Sequence, residues 1–243
     1  MRAMEIGFGG GQSLGREVRR HVLGHRGRTV HGRNHADVVP GGDPAIRRQR
    51  FVDYMTLHFR LERLEDAGYS SASARGRANW RRLLRGWSFD ADGLEGAALK
   101  AWVESRFGLL PRFHGRPLRD DSGPAWRRYE EMRARALYGA NALEAQLDLL
   151  YTYGQYESGR CGEATAAQIL YRGVNRLDDH ELLRRDVEGS GDDVVLFNSL
   201  TSFSSSRERA GEFGDTLLQV IVPNPKIMFH CRLLPGLLQG EDE

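Results

Sequence analysis

Apolar residues recur at helical spacing over residues 43–160 of the chain. Phe51 and Met55 lie on one face of the first such segment, which has a plausible stop at Gly68, and the second segment ends at Gly108. Glycine suits these ends because it adopts the left-handed conformation that closes many helices. The predicted helical segments are 51–69, 94–108 and 125–157.

The pattern changes near residue 165, where short apolar runs alternate with polar turns. Such runs, rich in branched and aromatic residues, are typical of β-strands. A helical region, 43–160, followed by a β-rich region, 161–243, predicts an α+β fold rather than alternating βαβ units. We expect the two regions to form one integrated domain. The predicted strands lie in 167–174, 193–206, 216–223 and 226–234, and short helices are predicted at 177–185 and at 207–214, the latter closed by Gly214.

Residues 1–42 differ from the rest of the chain. They hold ten of the 29 glycines and four of the eight histidines, and their apolar residues show no period. This composition predicts a disordered or loosely attached segment, or one that is not native to the protein. Its run GFGGGQ lacks the third glycine of a dinucleotide-binding fingerprint, since Gln12 stands there, and no convincing strand precedes it.

Charge and cysteine content exclude several classes of protein. The net charge is +2, with both signs mixed and 28% of residues charged, which does not indicate a general polyanion binder. Cys161 and Cys231 have no second cysteine or spaced histidine pair nearby, so no zinc site or disulfide framework is expected. No apolar run approaches 18 residues and no basic-then-apolar leader is present, and we therefore expect a cytoplasmic protein.

Arg172 is the first candidate functional residue of the β-rich region. It follows Leu170 and Tyr171 at the end of an apolar run, so its aliphatic stem would lie in the sheet and its guanidinium at the rim. A guanidinium offers a planar, permanently charged fork to a phosphate or a carboxylate. The alternative is a structural ion pair.

A row of hydroxyl residues follows in 199–206. In an extended chain Ser202, Ser204 and Ser206 point one way, and Thr201 and Phe203 point the other. The first face could bridge backbone, carboxylate and ribose hydroxyl groups. The alternative is capping of the short helix that begins at 207.

Paired carboxylates end the chain at Glu241 and Glu243. Residues two apart share a face of an extended loop, so the two glutamates would project together. Such a pair suits a reaction that develops positive charge on one substrate and deprotonates another. The alternative is an ordinary polar tail.

The order of these three elements is more specific than any one of them. An arginine on a strand, a Ser/Thr-rich strand end and a Glu-x-Glu motif resemble the arginine-type mono-ADP-ribosyltransferases. The surrounding segments, from about Asp43 to Glu243, resemble the NAD(+)–dinitrogen-reductase ADP-D-ribosyltransferase family. The resemblance is carried by FVDYMTLHFRLE, LLRGW, LKAWVESRFGLLPRFHG, YGANALEAQLDLLY, LYRGVNRLDDHELL, SFSSSRERAGEFGD and LLPGLLQGEDE.

This resemblance implies an ADP-ribosyltransferase-like β-rich half, NAD as the donor and an arginine of dinitrogenase reductase as the acceptor. It also implies control by a PII-type nitrogen signalling protein and regulation of nitrogen fixation. Glu243 would stabilise the positive charge that develops on the ribose, as in glycoside cleavage. Glu241 would hold the acceptor guanidinium and take its proton. The residues assigned to NAD binding are Arg172, Gly173, Ser202, Phe203 and Ser204.

Alternatives to this function remain open. Phe203 could stack on nicotinamide or pack in the core. The chain could act on a different protein, or it could bind NAD or a partner without catalysis. The strand expected after Glu243 is absent from the sequence, and we therefore expect the chain to be truncated and less active than a longer version. No metal is expected.

Overall fold

The computed structural model describes residues 2–6, 42–62, 78–138, 140–160, 167–175, 177, 180–184 and 194–238. Within these ranges the helices precede most of the strands, so the α+β prediction is confirmed. None of the described helices combines the length and the apolar character that a membrane crossing requires.

Within the described ranges, five helices lie between the N-terminal strand Arg2–Ile6 and the remaining strands, and residues at their ends explain where they begin and stop. Asp43 accepts a hydrogen bond from the Ala45 backbone N–H, and Asn79 caps the second helix in the same way. Gly108 adopts a φ of 68° and ends the third helix, as predicted. The helices are α1 (Pro44–His58), α2 (Trp80–Phe89), α3 (Leu94–Phe107), α4 (Pro124–Leu137) and α5 (Leu143–Arg160).

In the described residues, two antiparallel sheets are built from β1 (Arg2–Ile6), β2 (Ala167–Val174), β3 (Glu181–Arg184), β4 (Val194–Leu196), β5 (Leu200–Ser204), β6 (Thr216–Pro223) and β7 (Ile227–His230). The larger has five strands in the order β6-β2-β5-β1-β7, and β3 pairs with β4 in a two-stranded sheet. A short helix, α6 (Arg207–Gly211), follows β5.

The N-terminal residues contribute a strand to this sheet. Arg2–Ile6 pair antiparallel with both β5 and β7, so the expectation that no strand precedes GFGGGQ is wrong. The five-residue strand has too short a pattern to be recognised, and its partners lie about 200 positions away. A dinucleotide-binding βαβ unit requires a parallel neighbour, which β1 does not have among the described strands. Residues 7–41 lie outside the described residues.

Three other local predictions need correction. The segment 177–185 contains β3 rather than a helix, because Glu181–Arg184 pair with β4 and a short polar helix has little stability of its own. The run 193–206 is two strands instead of one, interrupted at Phe197–Ser199. The helix predicted to close at Gly214 ends at Gly211. The proposed stop at Gly68 lies outside the described residues, and α1 ends at His58.

The largest cluster of buried apolar residues in the described chain joins the helices to the sheet. Trp80 and Trp102 are fully buried in it, and Phe51 stacks on Tyr153 with ring centroids 4.1 Å apart. Phe229 of β7 belongs to the same cluster of buried residues. The helical region therefore packs directly on the sheet that carries the candidate site residues.

Candidate active site

Arg172 lies where two central strands separate. The strands β2 and β5 pair only at Tyr171 and Ser204, so beyond this point neither strand has a described strand partner on that side. The Arg172 side chain enters this opening, and its Nη1 donates a hydrogen bond to the Ser202 carbonyl oxygen at 2.7 Å. In a longer pairing of β2 with β5, the Ser202 carbonyl could accept a hydrogen bond from a backbone N–H. Here it accepts one from the Arg172 guanidinium instead.

The charge of Arg172 is not compensated by any described acidic group. Burial lowers the pKa of its guanidinium, and no carboxylate counteracts this effect. Its Nε is buried without a hydrogen-bond partner among the described residues. The structural ion pair that the sequence left open is therefore not formed within the described part of the chain. A buried, partly unpaired guanidinium favours the binding of an anion such as a phosphate.

The serines of β5 have different partners. Ser202 is half-buried, and its Oγ accepts a hydrogen bond from Trp87 Nε1 at 2.8 Å. Ser204 is buried, and its Oγ accepts a bond from the Ser206 backbone N–H at 3.1 Å. Ser206 caps α6 by accepting from Arg209 N at 3.2 Å, which confirms the capping alternative for this residue. Ser202 is therefore the serine of the row that connects β5 to the helical region.

Phe203 points away from these serines into the core. It is only 4% exposed and packs in a cluster with Leu170, Val222 and Ile227. Its ring lies edge-on to Phe197, with centroids 6.4 Å apart. Of the two roles open to Phe203, packing is the one that the structure supports.

Gly173 is required by the close approach of α6. A Cβ atom at this position would lie 2.1 Å from the Ala210 carbonyl oxygen and 2.9 Å from Gly214 N, and both are backbone atoms. The helix that Ser206 caps can therefore pack against β2 only because residue 173 lacks a side chain. This role does not depend on NAD.

Replacing Gly173 by alanine is expected to lower the free energy of unfolding by about 2 kcal/mol or more, because the backbone of α6 must move. Gly211→Ala is the matched control, since a Cβ there meets nothing within 4 Å. Alanine in a helix is favoured over glycine, so this control should be neutral or slightly stabilising. Urea unfolding of both variants tests the contrast, and equal effects would contradict it.

The two C-terminal glutamates, Glu241 and Glu243, lie outside the described residues. The described chain leads towards them through the buried Leu233 and Leu234. The Leu237 carbonyl then accepts a hydrogen bond from Arg85 Nε of α2 at 3.3 Å. The same helix thus contacts both the C-terminal segment and, through Trp87, the serine strand.

A buried lysine, which the sequence analysis did not single out, supports the same strand. Lys100 of α3 is 0% exposed, and its ammonium contacts Asp92 Oδ1 at 2.9 Å, the Phe113 carbonyl at 2.9 Å and His114 Nδ1 at 3.1 Å. It also lies 5.7 Å from the ring centroid of Trp87. The sequence did contain a signal for this role. Lys100 interrupts the apolar run AALKAWV, and a charged side chain among apolar neighbours on a helix indicates a buried, paired charge.

The Phe113 carbonyl links this lysine to the beginning of β5. It also accepts a hydrogen bond from Asn198 Nδ2 at 2.8 Å. Asn198 Oδ1 in turn accepts from the backbone N–H groups of Arg112 and Ser199, each at 3.0 Å. Lys100 therefore reaches β5 at two points, through Asn198 at its start and through Trp87 at Ser202.

His114 makes the stability of this network pH-dependent. Burial, followed by the charge of Lys100, lowers the pKa of His114 from 6.5 to about 4. Between these values the unfolded chain binds a proton that the folded chain does not, so stability falls as the pH decreases from 6.5 to 4. The loss from this residue is on the order of 3 kcal/mol at 1.36 kcal/mol per pKa unit.

His114→Asn removes this titration while keeping an oxygen acceptor for Lys100. The variant is expected to lose less stability than the wild type between pH 7 and pH 4.5, and urea unfolding at the two pH values measures the difference. An identical pH slope in both proteins would show that His114 does not cause it.

Arg172, Ser202 and Trp87 come together where β2 and β5 separate. Arg172 supplies the positive charge, Ser202 supplies a hydroxyl, and Trp87 fixes the orientation of that hydroxyl. An anion such as the diphosphate of a dinucleotide has the charge and the acceptor oxygens that the unpaired Nε of Arg172 lacks as partners among the described residues. Within the described ranges, no group of three His, Cys, Asp or Glu side chains could hold a metal ion.

Comparison with known proteins supports the resemblance found in the sequence. Residues 28–243 match the family model for Dinitrogenase reductase ADP-ribosyltransferase (DRAT), which extends the matched region upstream of the Asp43 expected above. The chain is 40% identical over 200 residues to the NAD(+)–dinitrogen-reductase ADP-D-ribosyltransferase of Rhodospirillum rubrum. The alignment covers 80% of this chain and 72% of that relative. No solved structure matches the chain.

Proposed function

The chain belongs to the dinitrogenase reductase ADP-ribosyltransferase family, and we propose on this basis that it transfers ADP-ribose from NAD to an arginine of dinitrogenase reductase. The modified reductase would be inactive, so the reaction would regulate nitrogen fixation. The structural observation that supports the proposal is the buried Arg172 guanidinium, whose Nη1 bonds the Ser202 carbonyl and whose Nε has no hydrogen-bond partner among the described residues.

Each site residue has a role that its chemistry can perform. NAD supplies the ADP-ribosyl group and releases nicotinamide. Arg172 binds the anionic part of the dinucleotide, and the Ser202 hydroxyl, held by Trp87, borders the same space. Ser204 and Gly173 act on the shape of this region, because the first braces the turn after β5 and the second admits α6.

The two glutamates complete the proposed reaction. The Glu243 carboxylate stabilises positive charge on the ribose carbon while its bond to nicotinamide breaks. The Glu241 carboxylate accepts a proton from the acceptor guanidinium as the new C–N bond forms, because a protonated guanidinium is a poor nucleophile. Control by a PII-type protein stays a prediction, with no described surface assigned to it.

Incubation with NAD labelled in the adenylate group and with purified dinitrogenase reductase tests this function. Label is expected on one arginine of the reductase, located by peptide mass spectrometry, together with loss of reductase activity. Label that appears only on other proteins of a cell extract would assign a different acceptor. Binding of NAD without transfer to any protein would support a binding module instead.

A further inference from the structure

Three arginines line an open cleft next to the C-terminal segment. The cleft has a volume of about 400 Å³ and lies between α1, α2 and residues 234–237. Arg48 projects from α1, and Arg81 and Arg85 project from α2. The apolar part of its lining includes Val52, Trp80 and Leu234.

The positive charge of this cleft is not neutralised by the described part of the protein. Neighbouring arginines on the same helices are paired, since Arg47 contacts Glu157 at 2.7 Å and Arg82 contacts Glu95 at 3.3 Å. None of the three cleft arginines forms an ion pair with a described carboxylate, and no acidic residue is among those that line the cleft. Such a cluster attracts carboxylates or phosphates from outside the molecule.

The cleft is close to the candidate active site through α2. Arg85 holds the Leu237 carbonyl, four residues before Glu241, and Trp87 on the same helix contacts Ser202. At 1.5 Å per residue, Arg81 lies about 9 Å from Trp87 along the helix axis. The cleft and the contact with Ser202 therefore lie on the same helix, within two turns of each other.

The setting of the arginines favours a protein surface as the occupant. Arg85 is exposed, and the Arg81 guanidinium lies 5.2 Å from the Trp80 ring centroid, which orients its plane. Arginine is enriched at protein interfaces relative to the rest of the surface.

We propose that this cleft docks a carboxylate-rich surface of the protein acceptor while the acceptor arginine enters the NAD site. The inference rests on the proposed transfer function and adds to it the surface that selects the acceptor. Charge complementarity of this kind mainly changes the rate at which two proteins meet and the orientation in which they dock. It should therefore change the KM for the protein acceptor and leave the cleavage of NAD unchanged.

Arg48→Glu and Arg81→Glu, singly and together, test the proposal. Arg85 is left unchanged because it also holds Leu237. The double variant is expected to raise the KM for dinitrogenase reductase at least tenfold, with the KM for NAD and the rate on the small guanidine agmatine unchanged within twofold. Increasing NaCl should weaken the wild type more than the variant, because fewer charges remain to be screened. A second double variant, Arg48→Gln with Arg81→Gln, removes the two charges without reversing them. The urea midpoints of both double variants show whether the protein is still folded.

Arg50→Glu is the matched control, because Arg50 is an exposed arginine of α1 that does not line the cleft. An unchanged KM for the reductase in the double variant would overturn the proposal. So would an equal rise in the KM for NAD, which would assign the cleft to the phosphates of NAD.

A binding measurement separates this proposal from the proposed function. If the wild type modifies neither the reductase nor agmatine, the transfer function fails. Titration of dinitrogenase reductase without NAD still tests the cleft, since tighter binding by the wild type than by the double variant supports docking and equal affinities exclude it.

Discussion

Arg172→Gln is expected to reduce kcat/KM for ADP-ribosyl transfer by about 100-fold, mostly through weaker use of NAD. The substitution removes the positive charge and the unpaired Nε that would bind the anionic part of the dinucleotide. Loss of one charged donor from a buried site has an effect of this size. Arg172→Lys should recover little activity, because an ammonium has no planar fork to bond a phosphate and the Ser202 carbonyl together.

Stability distinguishes a binding role for Arg172 from a structural one. Because no described carboxylate pairs with it, its replacement should change the free energy of unfolding by no more than about 1 kcal/mol. Arg47→Gln is the contrasting control, since Arg47 is buried and forms a two-pronged pair with Glu157 at 2.8 and 2.7 Å. That variant should lose about 3 kcal/mol of stability and keep its KM for NAD. A large loss of stability in Arg172→Gln, with the KM for NAD unchanged, would contradict the binding role.

Glu243→Gln is expected to reduce label transfer to dinitrogenase reductase by about 1000-fold while NAD binding changes only a few-fold. Glutamine keeps the size and the hydrogen-bonding reach of glutamate but lacks the charge that stabilises a cationic ribose. Undiminished label transfer in this variant would refute the proposed chemistry.

Glu241→Gln should separate the two halves of the reaction. Transfer to an arginine requires the second carboxylate, whereas release of nicotinamide by water does not need a guanidinium to lose its proton. We therefore expect nicotinamide release to exceed label transfer in this variant. Asp242→Asn is the control within the same motif, since it would face away from both glutamates in an extended chain, and it should have little effect.

The described site combines residues found by motif order with residues found only in three dimensions. The resemblance identified Arg172 and Ser202, which are 30 positions apart and meet through one hydrogen bond. Trp87 and Lys100 lie in segments that carry the resemblance, LLRGW and LKAWVESRFGLLPRFHG, but the sequence assigned them no role, because their roles depend on contacts with residues on other elements. The periodicity of a sequence cannot predict such tertiary contacts, because it depends only on residues of one helix or strand.

Two site residues show how the same sequence pattern permits different roles. Alternation along 199–206 correctly placed Phe203 opposite Ser202, but it could not say which face met the core. The glycine after Arg172 was assigned to NAD binding by resemblance, and the structure adds a packing reason in the Ala210 carbonyl, 2.1 Å from where its Cβ would be. The burial of Phe203 and the close approach to Gly173 both depend on which helices and strands pack on that side of the residue.

Local patterning was sufficient to predict the α+β class, four of the five strands of the larger sheet and the helix end at Gly108, because these depend on near neighbours. The order of the functional motif came from the family resemblance instead. Distant contacts established the rest. The strand Arg2–Ile6 lies between β5 and β7 because those strands leave a place for its backbone hydrogen bonds, although its own residues have no strand pattern. Glu181–Arg184 form a strand for the same reason, since β4 supplies a partner that the local sequence does not reveal. Pairing free energy between segments far apart in the chain outweighed local propensity at both places.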